Sequence, residues 1–413
     1  MSLRKILFWI HLATGCLAGT VVFVMSVTGV LLAYQRQIAS WADRDFRSTP
    51  AAAGSARLPV EAILAGIYAQ NHAVPSAIVL RSDPAAPAEV SFGREHEFLV
   101  DVYTGNVLGD SSPRTRAFFQ KIEDWHRWLG ASNEHRAGGR AVTGACNLGF
   151  LLLVVSGPFL WMPRRWSMQN VKAAALFRGG LSGRARDFNW HNVIGIWCAV
   201  PLFLIVLSGV VMSYPWANNL LYRLTGNEPP VQGGGQRAES ESRQAKDSGR
   251  RATAGSHPYE GPRHGEEFDS GLAGLNLLWA RAERQVSGWR SLTLRKPPSG
   301  RGPMTFTIDT GNGGRPDQRY QLTLDRRTAE VVRWEPFSSY NTGRRLRSWF
   351  RFLHTGEAGG MPGQTIAGLA SAGATVLVWT GLWLACRRLL RRRRQGRLTA
   401  DPASKVSAAP VSG

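Results

Sequence analysis

The run Ile6–Gln35, ILFWIHLATGCLAGTVVFVMSVTGVLLAYQ, holds no Asp, Glu, Lys or Arg and carries one histidine near its start. About 20 apolar residues in an α-helix cross a hydrocarbon core, and this run is longer. Three further stretches share its character: Ala141–Pro163, Phe188–Tyr222 and Ala358–Cys386 are also free of those four residue types. A soluble chain can bury one such helix, but four of them demand lipid. The expectation is a membrane protein with transmembrane helices over 6–35, 141–163, 188–216 and 362–386, and with large loops over 36–140 and 217–357. Arg4 and Lys5 would suit the basic end of a cleaved signal. The apolar part is too long for one, however, and runs through Tyr34 without a small-residue cleavage site. It is expected to be retained as a helix.

The net charge of +21 is unevenly spread. The amino end, the 164–187 connector and the 387–413 tail hold +14 of it, while segment 36–140 carries twelve basic and twelve acidic residues. That is the positive-inside pattern. It places both termini and the 164–187 connector in the cytoplasm, makes 387–413 a basic cytoplasmic tail, and puts both large loops outside. Arg387–Arg388 and Arg391–Arg394 would meet anionic lipid, which removes the case for nucleic acid. The four cysteines, Cys16, Cys146, Cys198 and Cys386, fall one in each apolar stretch with no metal-type spacing. They are expected to be small packing residues.

The sequence repeats one plan twice. His11 is followed by Gly15 and by Thr28-Gly29-Val30; His191 is followed, at the same spacings of four and eighteen residues to the glycines, by Gly195 and by Ser208-Gly209-Val210. The second and fourth apolar stretches share a pair of glycines thirteen residues apart, Gly144 and Gly157, then Gly368 and Gly381, with Ser156 and Thr380 before the second of each. In the first loop a helical pattern over Val60–Gln70 precedes strand-like runs at Ala77–Arg81, Ala88–Gly93 and Glu97–Val102. In the second, Leu272–Val286 precedes runs at Trp289–Arg295, Met304–Asp309 and Arg319–Leu324. Asp101-Val102-Tyr103-Thr104 and Asp325-Arg326-Arg327-Thr328 are matching turn signals. Each loop is thus expected to be a separate α+β unit, one helix on a three- or four-stranded antiparallel sheet. Gln232–Ser270, rich in Gly, Ser, Arg and Glu, is expected to be a disordered insert.

Each loop closes on an aromatic-basic stretch ending in histidine, Phe118–His126 and Leu346–His354, with the pattern of an amphipathic interfacial helix. On this topology His11 and His191 share the inner depth, and His126 and His354 share the outer. Two imidazoles on opposite copies at one depth suit the axial positions of a haem iron. The eighteen residues from His11 to Gly29 span about 27 Å at helical rise, so one haem could hardly bridge the membrane and two could. Zinc or copper would need a third or fourth ligand, which the inner pair lacks. A lone histidine beside tryptophan is otherwise an interfacial anchor, and glycine-rich faces are common packing motifs; four histidines at matched spacings weigh against that. His135 competes with His126, whose aromatic approach matches that of His354. His72, His96, His257 and His264 have no counterparts and read as surface residues. No dinucleotide-binding, Walker or nucleophile-elbow motif is visible, so an external electron donor is required, cytoplasmic or at the level of a quinone.

Phe8-Trp9-Ile10-His11 through Thr28-Gly29-Val30-Leu31, Trp125-His126-Arg127-Trp128-Leu129 and Leu353-His354-Thr355-Gly356 resemble the PepSY-associated transmembrane proteins. The likeness covers the chain apart from the insert and tail. It implies two extracytoplasmic PepSY-like domains, a place in the bacterial inner membrane, and a link to iron uptake. Some relatives bind two haems and reduce ferric siderophores in the periplasm. The resemblance therefore implies His11, His126, His191 and His354 as axial ligands of two b haems, with a ferric siderophore as substrate. Some relatives are fused to flavin reductase modules, whereas this chain ends soon after its fourth helix. The rival class is a non-enzymatic PepSY-domain sensor, scaffold or peptidase modulator, in which the histidines are anchors. A siderophore permease is weaker, because the helices carry no intramembrane charge or break.

Overall fold

The computed structural model describes residues 2–400 except 51, 53, 72–73, 94–95, 164–166, 231–271 and 296–301. The expected insert at 232–270, His72, His257, His264 and the tail beyond 400 lie outside the described residues. In chain order the elements are α1 (Leu3–Leu32), α2 (Gln35–Ala42), α3 (Val60–Asn71), β1 (Ala77–Arg81), β2 (Ala88–Phe92), β3 (His96–Val100), β4 (Val107–Asp110) and α4 (Pro113–Trp128). There follow α5 (Arg136–Trp161), α6 (Met168–Ala175), α7 (Gly183–Ser213), α8 (Pro215–Leu224), α9 (Leu275–Gln285), β5 (Ser291–Arg295), β6 (Met304–Asp309), β7 (Arg319–Leu324), β8 (Val331–Pro336), α10 (Thr342–His354) and α11 (Gly360–Ala400). The chain divides into two units: Met1–Gln35, Phe118–Tyr214 and Leu353–Gly413 form one, and Arg36–Ala117 with Pro215–Phe352 the other.

The first unit contains four helices long and apolar enough to cross a membrane: Leu3–Leu32, Asn133–Trp161, Gly183–Ser213 and Glu357–Arg391. They close into a bundle in which α1 packs on α5 and α11, and α7 packs on the same two. Its polarity is inverted relative to a soluble bundle. Leu17, Trp197, Val200 and Trp379 point outward at 67–86 % exposure, while Thr28, Asn147, Ser156, Ser208 and Thr380 are buried. Lipid explains the first set; the second needs internal partners. Small residues let the helices close up. A Cβ on Gly19 would lie 3.0 Å from Leu382, one on Gly149 3.2 Å from Thr14, and one on Gly373 2.6 Å from Cys198 Sγ. All four cysteines are free thiols, and Cys198 packs where a larger side chain would not fit. Helix boundaries differ from hydropathy by a few residues, since charged ends stay helical. The largest difference is α11, which continues through the arginines 387–394 to Ala400, because Arg and Leu are good helix formers and no proline interrupts them.

The second unit corrects the expectation of two separate domains. Its strands form one eight-stranded antiparallel sheet in the order β4-β3-β2-β1-β5-β6-β7-β8. Each loop supplies a four-stranded meander, and the two meet where β1 pairs antiparallel with β5, Val79 opposite Thr293. The halves mirror one another, down to a register shift at Leu99/Val100 and its counterpart at Thr323/Leu324. The Asp-x-x-Thr signals form alike: Asp101 Oδ1 accepts from the Tyr103 and Thr104 amides, and Asp325 Oδ1 from those of Arg327 and Thr328. Helices α3 and α9 exchange caps, the Glu61 amide donating to Asn276 Oδ1 and the Asn276 amide to Glu61 Oε1. One core serves both halves, with Ile63, Ile67, Leu278, Phe306 and Leu322 at 0–1 % exposure. The physical reason for the merger is edge pairing. Strands β1 and β5 would each be an exposed edge in a lone half, and each half alone would have a single helix to cover its apolar face.

Candidate functional site

Within the bundle unit each of the four candidate histidines is held in one way. At the end nearest the chain termini, His11 Nδ1 lies 2.8 Å from Ser156 Oγ, and His191 Nδ1 lies 3.0 Å from Thr380 Oγ1. At the far end, His126 Nδ1 is 2.9 Å from Thr28 Oγ1. His354 Nδ1 is 3.2 Å from Ser208 Oγ and 2.8 Å from the Ile205 carbonyl.

The hydroxyls' other contacts bear on the tautomer. A hydroxyl has one proton to donate. Ser156 gives its proton to the Leu152 carbonyl at 2.7 Å, Thr380 to Val376 at 2.8 Å, Thr28 to Val24 at 2.7 Å and Ser208 to Ile205 at 2.7 Å. A hydroxyl so engaged accepts from its imidazole, which puts the hydrogen on Nδ1. For His354 the carbonyl partner alone requires it. Every Nε2 is left with a lone pair, the form a metal ligand needs, with its other nitrogen held by a second group.

The four hydroxyls precede the motif glycines, and those glycines make room for the rings. A Cβ on Gly381 would stand 3.2 Å from His191 Cε1, on Gly209 3.4 Å from His354 Cε1, on Gly29 3.7 Å from His126 Cε1 and on Gly157 4.0 Å from His11 Cε1. The groups lying on these glycines are the imidazoles. The sequence reading missed the roles of Thr28, Ser156, Ser208 and Thr380. The signal was present as a hydroxyl residue before each spaced glycine, but a partner 98 to 189 residues away is not encoded in spacing.

The structure brings His126 and His354 together, their ring centres 6.2 Å apart with planes at 63°. A metal-centred group at this end would be held by His126 and His354 together. His11 and His191 both line a cavity of ≈ 840 Å³ walled by α1, α5, α7 and α11. That volume falls in the range of cofactor pockets. Gly15, Gly157, Gly195 and Gly381 are among its wall residues. Among the described residues, no group of three or more His, Cys, Asp or Glu is placed to hold a metal ion. A bare zinc or copper ion would thus lack ligands, whereas a metal bringing its own equatorial nitrogens needs only the two axial imidazoles. The residues fit haem at both ends.

His135 ends a short 3-10 turn before α5 and is exposed, outside either pair. His96 lies on β3 in the other unit, 3.9 Å from Asp110. Among curated proteins none matches the chain. The family model of the PepSY-associated TM region matches residues 8–388, a span that takes in all four histidines and the four hydroxyls that hold them, and the chain belongs to that family.

Proposed function

We propose that the protein is a two-haem electron carrier of the bacterial inner membrane that reduces a periplasmic ferric chelate, a ferric siderophore, in iron uptake. One observation carries the reading: four histidines, two at each end of a membrane-crossing bundle, each have Nδ1 held by a hydroxyl from another helix. Haem supplies a reversible one-electron centre when bound. His11 and His191 would ligate it near the termini, and His126 and His354 at the far end. Along α1 the residues that mark the two ends, His11 and Thr28, are separated by about 26 Å at helical rise, too far for one cofactor. The largely apolar wall of the cavity favours a large flat ligand.

The basic connectors support a cytoplasmic location for both termini and a periplasmic one for the sheet domain. A separate donor, cytoplasmic or quinone-level, would then act at the termini end, and the ferric chelate at the other. Reduction weakens the hold of hard oxygen ligands on iron, which makes a ferric chelate a productive acceptor. The test is a reduced-minus-oxidised absorption spectrum of detergent-purified protein with haem quantified. Two low-spin b-type haems per chain are expected, reoxidised by a ferric siderophore. A colourless protein from haem-replete cells would overturn the reading in favour of a PepSY-domain sensor or scaffold.

A further inference from the structure

The cavity at the termini end is apolar in depth and cationic at its mouth. Its charged wall residues are Arg4, Lys5, Arg184 and Arg388, and no Asp or Glu joins them. The positive-inside pattern explains cations at this end of a bundle in general. It does not explain their position relative to the histidines. Arg4 lies seven residues before His11, and Arg184 lies seven residues before His191. Seven residues are close to two helical turns, so each arginine shares its histidine's helix face, about 10 Å nearer the chain end. The same offset occurs in both copies of the plan, and both arginines line the same cavity as both histidines.

Lys5 follows Arg4 on α1, and Arg388 comes from α11. Arg388 lies over the Phe8 and Trp9 rings at 4.8 and 5.1 Å, which fixes its guanidinium beside the start of α1 while leaving N–H groups at its edge. Arg4 donates to the Leu160 carbonyl at 2.6 Å through Nη2 alone. A guanidinium has five N–H donors, so four remain. Unbalanced cations at the rim of an apolar cavity select a ligand with an apolar body and an anionic edge, and guanidinium groups pair with carboxylates through two parallel hydrogen bonds.

We infer that Arg4 and Arg184, with Lys5 and Arg388 beside them, bind the two propionate carboxylates of the haem at this end and so fix its orientation; the inference rests on the haem reading above. They are positioning residues, since the iron is bound by His11 and His191.

The test uses apo full-length protein in nanodiscs of zwitterionic lipid, titrated with protohaem and with its dimethyl ester, whose carboxylates are capped. The unsubstituted chain is expected to bind protohaem at least tenfold more tightly than the ester at one of its two sites. Arg4→Gln with Arg184→Gln should remove most of that preference while leaving ester affinity unchanged, and lysine at both positions should restore part of it. The site at the His126–His354 end serves as the internal control for folding. Equal affinity for acid and ester in the unsubstituted chain, or equal weakening of both in the variant, would overturn the inference. So would a defect confined to phosphatidylglycerol binding, measured in anionic nanodiscs, with the acid preference intact; the cations would then be lipid contacts. If neither form of haem binds the unsubstituted chain, the haem reading itself falls and the inference with it.

Discussion

A hydroxyl that has spent its proton on a helix carbonyl can only receive one, and that constraint makes four imidazoles present the same nitrogen. Thr380→Val keeps the shape of the side chain and removes the acceptor. It removes the Thr380 hydroxyl from the part-buried His191 Nδ1, at a cost of about 1 kcal/mol, and loosens the ring. Losing such a second partner typically costs a metal ligand about 10–100-fold in affinity. The expected outcome is loss or loosening of one haem of the two, with the other retained and Thr380→Ser close to normal; pyridine haemochrome quantification reads it. The glycines give a graded comparison. Gly209→Ala would set a methyl 2.9 Å from Asn147 Nδ2 and 3.4 Å from His354 Cε1. Asn147 cannot simply move, because its amide donates to the Val206 carbonyl at 3.1 Å. Overpacking of this kind costs about 1–3 kcal/mol and should displace the ring. Gly157→Ala meets His11 Cε1 at an ordinary 4.0 Å, and alanine is the better helix former by about 1 kcal/mol, so the ring should keep its place and thermal stability should hold or rise. Equal damage from both substitutions would mean that the glycines serve something other than ring clearance.

Among the elements, the seam between β1 and β5 decides whether there are two small domains or one. Each meander was legible in the sequence: the alternation at Ala77–Arg81 and Met304–Asp309 and the Asp101 and Asp325 turn signals predict strands and hairpins that the structure contains. The seam was not legible, because strand pairing across more than two hundred residues depends on which edges are left open, and period-2 patterning says nothing about a partner. The short helices α2, α6 and α8 were missed for a related reason. Each lies at the margin of a long apolar run or in a polar connector, where local periodicity is too brief to read. Proline at a central strand position removes a ladder donor and clashes, so Thr293→Pro should open the seam. Hydrogen exchange is expected to rise in both β1 and β5. A rise confined to β5 and β6, with Ala77–Arg81 still protected, would show that the first half stands alone.

The whole molecule combines a membrane-crossing bundle with a single sheet domain drawn from two loops. The sidedness proposed above rests on charge: the short connectors and the tail hold most of the net +21, and Lys and Arg near helix ends orient a membrane protein. A green fluorescent protein fused after Gly413 should therefore fluoresce. One inserted into the 232–270 segment should not, since the protein fails to mature once exported through the general secretory route. The opposite result would reverse the assignment of the two haem ends to donor and acceptor. By itself the sequence determined four membrane-crossing helices and singled out four histidines at repeated spacings, because hydropathy, charge and fixed spacings are local properties that survive without coordinates. Only the tertiary structure decided that the loops share one sheet and one core, that His126 faces His354, and that each imidazole is held by a hydroxyl from another helix. Those facts depend on which surfaces meet, and the meeting is set by edge pairing and helix packing between segments far apart in the chain.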